Sequence, residues 1–128
     1  MTKEDKELLL KDLCGRLPYG VKCIALLKQI DGSLKSIFGI FKGYNGWASI
    51  GNNLVDIETV KPYLRPMSSM TDEEKKELNN ILEYQYYSDD SCMCESTDWL
   101  NAHHFDYRGL IPMNLAIEVT KENNPYTE

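Results

Sequence analysis

The chain has no apolar run approaching the roughly 20 residues that a spanning helix needs. Its opening, Met1-Thr2-Lys3-Glu4-Asp5-Lys6-Glu7, is too charged for a signal peptide. Neither a membrane span nor a secretory route is expected, and the expected location is cytoplasmic. Cysteine is sparse: Cys14, Cys23, Cys92 and Cys94 lack the dense spacing of a secreted disulfide scaffold, so in a reducing compartment all four are expected as thiols. Positive charge is short as well. With 14 Lys plus Arg against 20 Asp plus Glu, the formal net charge is -6, which argues against a general nucleic-acid coat or an anionic-membrane binder, both of which need clustered cations. Catalytic signatures are missing too. There is no Gly-x-Ser-x-Gly elbow, no phosphate-binding glycine loop, no His-Glu-x-x-His helix and no isolated cysteine with a basic neighbour.

What is present is 128 residues, 42% of them apolar, enough for one ordinary domain. A chain of this size buries roughly two thirds of its unfolded surface, so folding requires neither a metal nor a disulfide framework. The charge is divided. Residues 1–70 carry ten basic and seven acidic side chains, whereas residues 71–128 carry four and thirteen. Such a division suits two faces that attract different partners, or each other in a homo-oligomer; a solvated acidic helix and loop is the plainer account.

Thr2 is placed to cap a first helix with Glu4 and Asp5 in its opening turn and Leu8, Leu9, Leu10, Leu13 and Cys14 on one stripe. Gly15 is expected to end it in the left-handed conformation, and Pro18 to prevent its resumption. Short apolar runs then predict an antiparallel meander: Val21 to Lys28, Lys35 to Lys42, Trp47 to Ile50 and Leu54 to Ile57, separated by Asp31-Gly32, Gly43-Tyr44-Asn45-Gly46 and Gly51-Asn52-Asn53. Pro62 and Pro66 bracket an extended connector at which the sheet is expected to end. Thr71 and Glu74 have capping-box spacing for a second helix from Asp72 to about Tyr87, with Leu78, Ile81, Leu82 and Gln85 on its inner face. An acidic loop from Ser88 to Glu95 follows, then a short helix capped by Ser96 or Thr97, a turn at Asp106-Tyr107-Arg108-Gly109, and a last strand within Leu115 to Val119. The expected fold is one α+β domain over 1–128. It comprises an N-terminal helix with a small antiparallel sheet or open Src-homology-like barrel (1–61), the Pro-bracketed connector (62–71), and a helical subregion with a helix-turn-strand tail (72–128).

Three stretches carry a resemblance: Asp12-Leu13-Cys14-Gly15-Arg16-Leu17-Pro18-Tyr19-Gly20-Val21, Val60-Lys61-Pro62-Tyr63-Leu64-Arg65-Pro66-Met67-Ser68-Ser69-Met70-Thr71, and Trp99-Leu100-Asn101-Ala102-His103-His104-Phe105-Asp106-Tyr107-Arg108-Gly109-Leu110-Ile111. Together they resemble small phage and prophage proteins of gut Bacteroides-type bacteria, across most of the chain. The resemblance implies a phage or mobile-element origin and an intracellular life, and carries no activity onto individual positions.

Four constellations bear on chemistry. Cys92 and Cys94 with His103 and His104 offer zinc's preferred donors, but one intervening residue cramps the chelate, and Asp89, Asp90 and Glu95 oppose thiolate formation. No cofactor or metal is expected. His103-His104-Phe105-Asp106-Tyr107-Arg108 crowds titratable groups. Adjacent helical histidines diverge by about 100°, so both serve one reaction only if the helix ends between them. The alternative packs one histidine beneath Trp99 and lets an Asp106 and Arg108 pair pin the following turn. Phe38, Phe41, Tyr44 and Trp47 among Lys22, Lys28, Lys35 and Lys42 have the composition of a base-stacking face, yet Phe38 and Phe41 sit three apart and point to opposite sides of a regular strand. At least one is therefore core. Tyr63, Met67, Met70, Tyr84, Tyr86 and Tyr87 supply the amphipathic surface favoured at protein interfaces.

The expected function is a non-catalytic binding module that engages a host or phage protein through an aromatic and acidic surface. Tyr63, Arg65, Tyr84, Tyr87, Trp99, Tyr107 and Arg108 are its candidate residues. A nucleotide-sequestering, anti-defence oligomer using Arg16, Lys61, Arg65 and Arg108 is the alternative, and a small metal-dependent hydrolase is a weaker one. Nucleic acid is not an expected partner.

Overall fold

The computed structural model describes residues 2–87 and 94–126. Helix α1 (Lys3–Gly15) starts as the sequence predicts. The Thr2 hydroxyl accepts from the Asp5 N–H at 3.0 Å while the Asp5 carboxylate accepts from the Thr2 N–H at 3.4 Å. Leu9 and Leu13 on its inner stripe are wholly buried, whereas Cys14, expected beside them, is exposed. The helix end differs from expectation. Gly15 is the last helical residue and Arg16 terminates the helix at φ -99°. The left-handed residue is Gly20, at φ 65°, after a single tight turn over Leu17–Tyr19. Arg16 is held by its own side chain, so the chain reverses five residues later than the glycine signal suggested.

Strands β1 (Lys22–Lys28), β2 (Leu34–Tyr44), β3 (Ala48–Ile50) and β4 (Asn53–Val55) form the predicted antiparallel meander. Gly32, at φ 87°, takes the positive angle that the β1–β2 turn demands, and the Asp31 carboxylate accepts from the Ser33 N–H at 2.9 Å to fix the turn. A helical turn over Ile57–Thr59 then leads into β5 (Lys61–Pro66). Here the sequence expectation fails. The Pro-bracketed connector is itself a strand, because prolines disfavour helix without disfavouring extended backbone. It pairs with β1 and carries the sheet onward to β6 (Phe105–Asp106) and β7 (Ile117–Glu118), both parallel to it. Strand order is β4-β3-β2-β1-β5-β6, open at its ends, giving an α+β fold of Src-homology-like order on its antiparallel side.

The core lies between α1 and one face of this sheet, where Leu9, Leu13, Val21, Phe41, Ile50 and Leu64 are at most 1% exposed. Burying each contributes about 2 kcal/mol. Helix α2 (Asp72–Tyr87) begins at its predicted capping box, with the Thr71 N–H donating to Glu74 at 2.9 Å and the Glu74 N–H to Thr71 at 3.2 Å. Leu78 and Ile81 are half-buried, but Leu82, expected inward, is exposed. Helix α3 (Cys94–Ala102) contains Ser96 and Thr97 within it rather than at its cap. Among the described residues no helix is long and apolar enough to cross a membrane.

Candidate functional site

Two features of the surface and one of the interior bear on function. In the interior, Asp12 and Arg16 stand one helical turn apart at the end of α1 and are both fully buried. Arg16 Nε and Nη2 donate to the two Asp12 oxygens at 2.8 and 3.0 Å, and Nη2 also donates to the Phe105 carbonyl at 2.6 Å. Arg108 Nη1 reaches the same carboxylate at 2.7 Å, and the two guanidinium groups flank the Tyr107 ring at 5.3 and 4.6 Å. Tyr107 donates to Asn101 at 2.9 Å, which in turn donates to the Gly15 carbonyl at 3.2 Å. The network staples α1 to α3 and β6.

The expected Asp106–Arg108 pair does not form. Asp106 does hold the turn, but by accepting the Leu110 and Ile111 N–H groups at 2.8 and 2.9 Å, while Arg108 is drawn to Asp12. A buried carboxylate facing a guanidinium already in place attracts a second cation more strongly than an Asp saturated by backbone donors.

A pocket of about 430 Å³ opens beside this network, lined by Arg65, Ala102, His103, His104, Asn124 and Tyr126. The helix ends before both histidines, not between them as the shared-site condition required, and both nevertheless line this pocket. Helix α3 ends at Ala102, and His104 adopts φ 63°, which swings both rings to the same pocket. His103 stacks on Trp99 at 4.0 Å, as one sequence alternative expected, and its Nδ1 lies 2.9 Å from the Trp99 carbonyl. A carbonyl only accepts, so Nδ1 carries a proton in this contact. His104 stacks on Tyr126 at 3.7 Å. Burial, followed by the nearby Arg16, His103, Arg65 and Lys22, holds the His104 imidazole neutral down to about pH 4.

Arg65 binds Glu74 bidentately at 2.7 and 2.8 Å and lies over the Phe105 ring at 4.2 Å. Its guanidinium beside Glu74 holds that carboxyl at about 2, well below the usual range. Tyr126 is anchored by accepting the Lys22 N–H at 2.9 Å and donating to the Tyr63 carbonyl at 2.7 Å; burial pushes its phenol up. His104 Nδ1 and Arg16 Nη1 are the buried side-chain polar atoms that no protein group satisfies among the described residues, each a cost of about 1–3 kcal/mol.

On the opposite side of the sheet the residues alternate outward as β1 and β2 dictate. The register sets Lys22 against Ile40, Ile24 against Phe38, Leu26 against Ser36 and Lys28 against Leu34. Leu26, Leu34, Phe38 and Ile40 are 39, 61, 56 and 41% exposed. Tyr63 on β5 meets Phe38 edge-on at 5.8 Å, and Lys61 lies opposite Ile24. Strands β1 to β5 contain no Asp or Glu.

The sequence-predicted site residues are thus distributed, not gathered. Arg65 and His103 to His104 share the pocket, with Trp99 behind His103; Tyr107 and Arg108 belong to the buried network; Tyr63 and Lys61 face outward. The proposed nucleotide donors Arg16, Arg65 and Arg108 cluster around Phe105 to Tyr107 but are each paired with a carboxylate, and Lys61 contacts Asn114 instead. Of the base-stacking set, Phe41 is core while Phe38, Tyr44 and Trp47 are exposed. The side chains of Tyr84, Tyr86, Tyr87, Cys92 and Cys94, and residues 88–93 of the segment expected as an acidic loop, lie outside the described residues. Among the described residues no three His, Cys, Asp or Glu side chains converge on a cation position. Asp12, Asn101, Asn124 and Tyr126 were missed. Asp12 and Arg16 at helical spacing within an apolar stripe were a readable signal; Asn101, Asn124 and Tyr126 had none.

No family model, curated protein or solved structure matches the chain.

Proposed function

We propose that the protein is a non-catalytic, intracellular binding module of phage or prophage origin, which docks an acidic segment of another protein against the outer face of β1 and β2. The observation that carries this reading is the ladder of Ile24, Leu26, Leu34, Phe38 and Ile40 on strands that hold no carboxylate. Contiguous exposed apolar surface of this kind marks interaction sites in soluble proteins. Lys28 ends the ladder and Lys61 flanks it, while the Lys22 ammonium at the other end donates to the Pro125 carbonyl, so charge complementarity at Lys28 and Lys61 selects a partner with Asp or Glu beside its apolar anchors. A second copy is disfavoured, because a two-fold interface would set each lysine-bordered face against itself. This surface is basic, unlike the aromatic and acidic one that composition suggested.

The test is photo-crosslinking in the native host from a benzoyl-phenylalanine placed at Phe38, followed by peptide identification. The expected product is a peptide of a different protein with carboxylates flanking apolar residues, and its yield should fall at least tenfold with Lys28→Glu. A crosslink to this chain's own peptides, or to a basic segment, would overturn the reading.

A further inference from the structure

We propose that an extended segment of the partner adds to the sheet as a further antiparallel strand along the free edge of β1 at Leu26 to Lys28. This rests on the reading that the protein docks an acidic segment, and adds where the backbone of that segment runs. Residues along an antiparallel pair bond alternately to one side and the other, and the even-numbered residues of β1 turn their N–H and carbonyl groups away from β2. Those N–H groups are met in turn. Lys22 donates to the Tyr126 hydroxyl at 2.9 Å, Ile24 pairs with Lys61 of β5, and Leu26 donates to the Thr59 hydroxyl at 3.3 Å. The series stops at Lys28. Among the described residues no hydrogen bond reaches its N–H, or the Leu26 and Lys28 carbonyls on the same edge. An unpaired strand edge of this kind is a template for the backbone of another chain.

The space beside the edge suits a strand. A pocket of about 370 Å³ is lined by Leu26 and Leu27 together with Trp47, Leu54 and Val55, and a second of about 620 Å³ continues it from Leu27 and Lys28 to Ile30 and Lys35. Side chains of an added strand alternate between the two faces. The residue opposite Lys28 points with it to the outer face, where Lys28 makes no ion pair among the described residues and the strands hold no carboxylate, so an acidic side chain belongs there. Its two neighbours point the other way, with Leu27, and belong to apolar types. Asp31 and Asp56 border the groove, but they accept the Ser33 and Glu58 N–H groups of their own turns. A second copy of β1 added in antiparallel fashion about Lys28 would set like charges side by side. Antiparallel addition continues the pattern of β1, whose pairings with β2 and β5 are both antiparallel.

The probe is the capped peptide acetyl-Ser-Glu-Val-Glu-Val-Glu-Ser-amide, titrated at pH 7 into isotope-labelled full-length protein. The Lys28 amide resonance should move downfield along a saturating curve with half-saturation at roughly 1 mM, and its hydrogen exchange should slow as the site fills. Lys28→Pro deletes an N–H that holds nothing within the protein, so the melting temperature should stay close to that of the parent while peptide affinity falls by roughly tenfold or more. Lys28→Gln keeps the N–H and loses the charge, and should weaken the peptide only by roughly two- to fivefold. N-methylation of the central glutamate removes the reciprocal bond without altering the protein, and should cost as much as Lys28→Pro. Equal effects of Lys28→Pro and Lys28→Gln, a methylated peptide that binds like the parent, or shifts confined to Phe38 and Ile40 would overturn strand addition and leave the docking reading standing. No shift at Lys28 up to about 10 mM peptide would overturn it as well, with the crosslink from position 38 deciding the docking reading separately.

Discussion

The interior and the outer sheet face invert the usual arrangement of side chains. Asp12 and Arg16 are wholly buried, whereas Leu34 and Phe38 stand mostly in solvent. The two anomalies have different causes. The ion pair is tolerated because nearly every polar atom in it has a partner, three of them supplied by β6 and the residues after it. Such a network sets one arrangement of distant segments more than it adds net stability. The apolar ladder is covered only in part, by the edge-on contact of Phe38 with Tyr63, and lysines border it. Buried charge here joins distant segments, and exposed hydrophobicity lies on the strands that the proposed partner would cover.

The largest effect is expected from breaking the interior. Asp12→Ala leaves Arg16 buried without its counter-charge and should cost about 3–5 kcal/mol, read as a lowered urea midpoint. Replacing both partners, Asp12→Leu with Arg16→Met, should cost far less than that single change. If the double variant were the worse of the two, the pair would be supplying stability outright. A smaller effect follows from His104. Its native pKa of about 4 lies below the unfolded value of 6.5, so the unfolded chain binds the extra proton between those limits. Stability is therefore complete above pH 6.5 and falls as pH drops toward 4, by about 1 kcal/mol after solvent screening. His104→Asn, which tolerates the left-handed backbone, should flatten this part of a stability–pH curve. The smallest effect is expected on the outer face. Leu34→Ser, on the same ladder, should leave stability within about 0.5 kcal/mol while abolishing the crosslink from position 38 to a partner. A loss of several kcal/mol would mean that the ladder belongs to the core.

Legibility followed the same division. The meander could be read because each turn announces itself locally: Asp31-Gly32 and Gly51-Asn52-Asn53 separate strands whose observed ends differ from expectation by two residues or fewer. The Thr71 to Glu74 capping box placed α2 correctly for the same reason. Parallel pairing of β5 with Phe105-Asp106 and Ile117-Glu118 left no local mark, since two-residue strands show no alternation. Nor could a pattern in the residues around Arg108 reveal a partner 96 positions earlier. His103 and His104 were recognisable as a crowded pair. Their convergence depended on a backbone angle at His104 that composition does not encode.

The Tyr126 hydroxyl bridges the Lys22 amide and the Tyr63 carbonyl, joining positions 104 and 63 residues apart. This has a consequence for the order of events during synthesis. The meander and β5 need only residues 22–66 and can assemble while the chain is still emerging. The edge of β5 must then wait, unpaired, for β6, β7 and the tyrosine. Contacts this remote in sequence form slowly. Newly made chains therefore pass through an interval in which one strand edge and the apolar ladder are exposed together, the combination most prone to self-association.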